Sequence, residues 1–166
     1  YFSRIFSRSS FNHYNIYYIK MFSNYDYSEY NEKSIVKVIL GETITDDNDF
    51  NYFLNKWLEL YENKKNFIFI FNCENVGYIP IKYSIKMALF IRTLRRKDYQ
   101  YLKKSIIYIP SLRVKRLLDF IFMIQPPVAP VYIINDLNLI DDILLNNISN
   151  KNIEIIEPSN SFLNLI

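Results

Sequence analysis

The chain has 166 residues, half of them hydrophobic and 22% charged, with a net charge of +3. That length suits one domain of ordinary size, and the apolar content excludes a wholly disordered chain. One cysteine, Cys73, excludes an intrachain disulfide and any multi-cysteine metal site, and one histidine, His13, leaves no histidine cluster for a triad or a metal.

The bias toward Ile, Asn, Lys, Tyr and Phe matches AT-rich coding DNA, so an abundance of Asn or Tyr carries no functional weight. No apolar run reaches the roughly 18 residues of a membrane span. The nearest, Leu117 to Ile124, is interrupted by Asp119. A lone cysteine suits a reducing compartment, and no cofactor or metal is expected.

Residues 1–20 hold Arg4, Arg8 and Lys20 with no acid, and Met21 is the first methionine. Residues 1–21 therefore read as a tail or a targeting segment. A single domain is expected over 22–148 and a C-terminal tail over 149–166. Phe22 to Tyr30 and Ile35 to Leu40 read as strands that pair as a hairpin across the turn-rich Asn31 to Ser34. Asp46, Asp47 and Asp49 crowd the start of a helix whose Phe50, Phe53, Leu54, Trp57, Leu58 and Tyr61 share one face. These aspartates lack the glycine and closing glutamate of a calcium loop.

Phe67 to Phe71 is a continuous apolar run, as expected of a strand buried on both faces. A second run, Ser105 to Ile109, follows a helical segment long enough to be the crossover that parallel strands require. The loop at the first run's carboxyl end contains Asn72, Glu74, Asn75 and Gly77, where open α/β sheets place ligands. Cys73 and Glu74 have no identifiable catalytic partner, and Cys73 reads as a small buried residue.

Pro80 suits the start of a helix whose apolar side comprises Ile81, Ile85, Ala88, Leu89, Ile91 and Leu94. Ser111 is positioned to cap a third helix with Val114, Leu117, Leu118 and Ile121 inward, stopped at Gln125-Pro126-Pro127. Ala129 to Ile134 is a short strand, with Pro130 displacing its start or placing it at an edge. A helix over Leu137 to Leu145 and a late strand around Ile153 to Ile156 complete the chain.

Charge is segregated. Lys82, Lys86, Arg92, Arg95, Arg96, Lys97, Lys103, Lys104, Arg113, Lys115 and Arg116 stand against Asp98 alone. Such a segment is a candidate anion-binding surface, although cationic helix ends produce the same pattern without a ligand.

Phe67 to Gly77, Asp98-Tyr99-Gln100-Tyr101-Leu102-Lys103-Lys104, Ile106 to Pro110 and Phe120 to Pro127 together resemble the CRAL-TRIO lipid-binding family over residues 66–147. Asn72 stands where that family usually has Asp, Gln100 replaces its Pro, and Gln125-Pro126-Pro127 replaces its Lys-Pro-Phe. Gly41-Glu42 and Ser111 to Leu118 are similar to features of the STAS domain, a family of related topology. Ser84 lies where that family's phosphorylated serine falls, without the preceding Asp, and no phosphorylation is expected.

These resemblances imply an α/β fold: one mixed, largely parallel sheet with an N-terminal hairpin and crossover helices. They imply a non-enzymatic module that binds an anionic, phosphoinositide-like lipid or a membrane surface through the eleven bases, in the cytoplasm or peripherally on membrane. Reversing Arg95, Arg96 and Lys97 is then expected to abolish binding. The alternative is a STAS-like domain that binds a protein partner and no lipid. No acid–base constellation supports an enzyme, and no RNA or DNA motif supports nucleic-acid binding.

Overall fold

The structure is a computed structural model and describes residues 21–149 and 152–158. The expected tail or targeting segment at 1–20, with His13, lies outside the described residues, as do 150–151 and 159–166.

β1 (Ser23–Tyr30) and β2 (Lys33–Leu40) form the expected antiparallel hairpin. Its two turn residues, Asn31 and Glu32, have φ of 47° and 63°. Positive φ at both positions matches the turn to the right-handed twist of the strands. The start of α1 (Asp47–Glu62) is capped by Asp46, whose carboxylate accepts from the Asp49 N–H at 2.9 Å. Asp49 in turn accepts from the Phe22 N–H at 2.8 Å, tying the helix start to the hairpin. Lys64 ends the helix with φ of 52°, a left-handed conformation that glycine usually supplies.

The remaining elements follow in order: β3 (Phe67–Asn72), α2 (Ile81–Arg95), β4 (Leu102–Tyr108), α3 (Leu112–Ile124), β5 (Val131–Ile134), α4 (Leu139–Leu144) and β6 (Glu154–Ile156). Together they give the expected α/β architecture with a single mixed sheet. Its order is β1-β2-β3-β4-β5-β6, with β2 to β5 parallel and an antiparallel pair at each edge.

One local expectation needs correction. Ser111 precedes α3 with extended backbone but makes no side-chain cap. Leu112 and Arg113 beside it are exposed, so water can serve the free N–H groups there. For β5 the first of the two alternatives holds: its start is displaced to Val131, while β4 and β6 flank it so that it is not an edge strand. Pro130 sits just outside it and uses only its carbonyl, which accepts from the Ser105 N–H at 2.9 Å.

Parallel crossovers are right-handed. When successive strands are also spatial neighbours, each crossover returns on the same side. The buried side chains of α1, α2 and α3 accordingly share one core with Val36, Phe69, Phe71, Ile107 and Ile133. The opposite face presents Ile35, Ile68, Ile70, Ile106 and Ile134, and α4 covers it. Alternation along β3 thus turns phenylalanines toward three helices and isoleucines toward one. Trp57 joins the layers of the larger core, its ring 4.7 Å from Phe69 and 5.5 Å from Phe90.

Because Lys64 bears a side chain in left-handed backbone, Lys64→Gly relieves ~1–2 kcal/mol of strain against ~0.5–1 kcal/mol of added unfolded-state entropy. The expected gain is about 0.5–1 kcal/mol, read as a higher urea midpoint at unchanged m-value.

Candidate functional site

The eleven bases are contiguous in sequence but do not make one surface. Lys82 and Lys86 lie in the first turns of α2 and pair with Asp47 at the start of α1, at 3.3 and 2.8 Å. Lys104 is on the opposite face of the sheet, where it donates to the Ile143 carbonyl and to Asn146 Oδ1 at the end of α4. Lys103 donates to the Gln100 carbonyl at 2.7 Å and lies over the Tyr99 ring. Lys115 turns toward the sheet edge and pairs with Asp119 and Glu154.

Arg95, Arg96 and Lys97 are adjacent in the chain and separate in space. Arg95 donates to the carbonyls of Pro126 and Pro127 at 3.1 and 2.9 Å, holding the connection that follows α3. Lys97 lies over the Tyr61 ring at 5.9 Å. Of the three, Arg96 faces outward from α2. A turn of about 100° per residue accounts for the scatter.

What the fold does bring together is a mixed stripe on each of two neighbouring helices. Ile81, Ile85, Leu89, Arg92 and Arg96 recur at helical spacing along the exposed side of α2. Sequence periodicity placed Ile81, Ile85 and Leu89 in the core; they are instead 54%, 44% and 50% exposed. Ala88, Ile91 and Leu94 of the expected apolar side are buried, and Tyr83 and Phe90 join them in place of the other three. Leu112, Arg116 and Met123 form the corresponding stripe on α3, with Arg113 beside it. α2 and α3 pack side by side on one face of the sheet, so both stripes point away from it together.

No acid occurs anywhere in α2, and the one acid of α3, Asp119, is neutralised by Lys115. The side chains of Arg96, Arg113 and Arg116 are exposed, with no hydrogen bond or ion pair from them among the described residues. The outward surface of these helices is therefore apolar and cationic.

The loop singled out after β3 has a structural role. Asn72 is buried and its side-chain oxygen accepts from the Glu74 N–H at 2.8 Å, closing a tight turn. The Gly77 N–H donates to the Glu42 carbonyl at 2.7 Å, and a Cβ on Gly77 would stand 3.1 Å from Glu42 Cγ. Glu74 and Asn75 are exposed. Ligand crevices in open α/β sheets form where strand order reverses. This sheet has no reversal and so no switch-point crevice, although Leu40, Cys73, Val76 and Ile109, at the carboxyl ends of β2, β3 and β4, line a cavity on its helical face.

A cavity of about 150 Å³ lies between the sheet and the three helices of the larger core. Phe71, Met87, Ile107, Leu118 and Phe122 are among its walls, with Cys73 and Ser84. Burial pushes the Cys73 thiol up to about 12, so it stays protonated and is a poor nucleophile. Ser84, the candidate phosphorylation position, is buried on the inner side of α2 and inaccessible to a kinase.

No protein-family model, curated protein or solved structure matches this chain. Among the described residues, no helix is long and apolar enough to cross a membrane, and no cluster of three His, Cys, Asp or Glu could hold a metal ion.

At the α1–α2 junction, hydrogen bonds from Lys86, Tyr83 and Lys82 hold the Asp47 carboxyl at about 2, below the usual carboxylate range. A lowered carboxylate pKa contributes stability above its unfolded value and loses it as pH falls through the folded one. Asp47→Asn is expected to lower the urea midpoint at pH 6. The difference from the parent chain should shrink steadily below pH 4 and vanish only below pH 2.

Proposed function

We propose that the protein is a non-enzymatic module that docks peripherally on anionic lipid surfaces through the outward sides of α2 and α3. The observation that carries this reading is the combination of exposed Ile81, Ile85, Leu89, Leu112 and Met123 with Arg92, Arg96, Arg113 and Arg116 on one surface. Apolar side chains of that kind can enter the headgroup boundary, while the arginines engage phosphate. Each base near an anionic membrane contributes roughly 1 kcal/mol, and salt screens it. The resemblance to CRAL-TRIO domains supports the same reading. Membranes rich in anionic lipid face the cytoplasm, which fits the compartment expected from the sequence.

The cavity between sheet and helices is not the lipid site in this reading. Pockets for drug-sized ligands run to roughly 300–1,000 Å³, well above the volume here. A STAS-like protein partner would use the same exposed patch, since large exposed apolar surfaces serve either kind of contact. The four arginines, with no acid to offset them on α2, favour the lipid surface.

Co-sedimentation with phosphoinositide-containing and neutral vesicles across a salt series tests the proposal. The chain should bind the acidic vesicles selectively and release them as salt rises. Replacing Arg92, Arg96, Arg113 and Arg116 together by alanine should weaken binding by about two to three orders of magnitude at low salt. Replacing Lys103 and Lys104 should have little effect. No binding at low salt, or an unchanged affinity in the quadruple variant, would overturn the lipid reading and favour a protein partner.

A further inference from the structure

The cavity beneath α3 is lined by side chains that cannot hold water well. Its walls are almost wholly aliphatic and aromatic, and a buried water needs two to four polar partners to stay. One wall residue has an unmet requirement. Ser84 is 1% exposed, and its Oγ has no hydrogen-bond partner. A serine inside a helix usually turns its hydroxyl back to the carbonyl one turn earlier. Here the Pro80 carbonyl accepts from the Tyr83 N–H at 3.0 Å, and Ser84 Oγ remains unpaired. Ser84, Met87 and Ile91 line the cavity from α2 at helical spacing, so this orphan hydroxyl belongs to the cavity wall.

Leaving a buried hydroxyl unpaired is costly, and a partner brought in by a ligand would remove that penalty. We infer that this cavity is a binding site for a neutral molecule of about one ring in size, with a single hydroxyl or carbonyl that pairs with Ser84 Oγ. The volume sets the size, because an apolar cavity near 150 Å³ stays dry and accepts a benzene-sized guest. The walls set the charge, because an ion buried there would have no counter-charge. The cavity is partly open rather than sealed, and α3 is the most lightly held of its three helical walls. Val114 is the one fully buried residue of that helix, while Leu117, Leu118, Ile121 and Phe122 are half-buried over the cavity. A roof held this lightly can lift without disturbing β3 or α1.

The inference is independent of membrane docking, and its test uses no vesicles. Phenol and toluene, close in size and differing in the hydroxyl, are titrated into the full chain and followed by methyl NMR shifts and melting temperature. Both should bind saturably at one site, shifting the methyls of Ile107, Leu118 and Val131, with phenol the tighter. Ser84→Ala should weaken phenol by about two- to tenfold and leave toluene unchanged. Ala129→Leu, which fills the cavity from the β5 side, should abolish binding of both in a chain whose circular dichroism is unaltered. Should that variant fail to fold, Val128→Phe fills the same space from the adjacent position. Absence of saturable binding by either probe to the folded parent chain would overturn the inference. So would equal loss of phenol and toluene in Ser84→Ala, or undiminished binding in a folded filled variant.

Discussion

A right-handed crossover, repeated three times between strands laid side by side in sequential order, leaves no freedom about where the helices go. Each of α1, α2 and α3 must return on the same side of the sheet as the one before. The two faces then have unequal cover, three helices against the short α4, and the side chains of β3 match that inequality. Phe67, Phe69 and Phe71 fill the deep side, while Ile68 and Ile70 meet a single turn-and-a-half of helix. Phenylalanine is the larger side chain and contributes more apolar burial where the layer is thick.

The same constraint produces both features of interest on the helical side. Three helices laid in a row on a twisted sheet meet it unevenly, and α3, at the end of the row, contributes one fully buried residue. The cavity lies between the sheet and all three helices, with α3 as its loosest wall. The outward surface of the row has nothing above it among the described residues, and there α2 and α3 present isoleucine, leucine and methionine between arginines. Sequential strand order also removes the crevice at which doubly wound sheets hold ligands. What the fold offers in its place is a helical surface and a gap between helices and sheet.

Much of the architecture was legible in the sequence because local signals and global topology agree there. The acid-rich start of α1, the Phe-Ile alternation of β3 and the proline stop after α3 each specify their element without knowledge of the rest. The outward stripe of α2 was not legible. The broad apolar side read from Ile81 to Leu94 combines two narrower stripes, of which Ala88, Ile91 and Leu94 turn inward with Tyr83 and Phe90 while Ile81, Ile85 and Leu89 turn outward. A helix apolar over more than half its circumference does not reveal which side turns inward. Strand order decides it, and strand order is a long-range property. The basic run misled for a related reason, since adjacent bases on α2 and at the start of β4 point to different surfaces. Arg95 binds two prolyl carbonyls and Lys104 closes the end of α4, so neither belongs to the exposed arginine stripe. The cavity exists only in the relative placement of three helices and has no local signature beyond a serine in an apolar stretch.

The most direct test of the account is the depth of individual residues at a bilayer. Nitroxide labels at positions 89 and 123, on the outward sides of α2 and α3, are compared with labels at 27 and 155, exposed on the edge strands. Accessibility to oxygen and to a water-soluble paramagnetic reagent is then measured with anionic vesicles present. The account predicts that labels at 89 and 123 enter the headgroup boundary together while those at 27 and 155 stay in water. Equal exposure at all four positions on vesicle-bound protein, or immersion of the edge-strand labels, would contradict it.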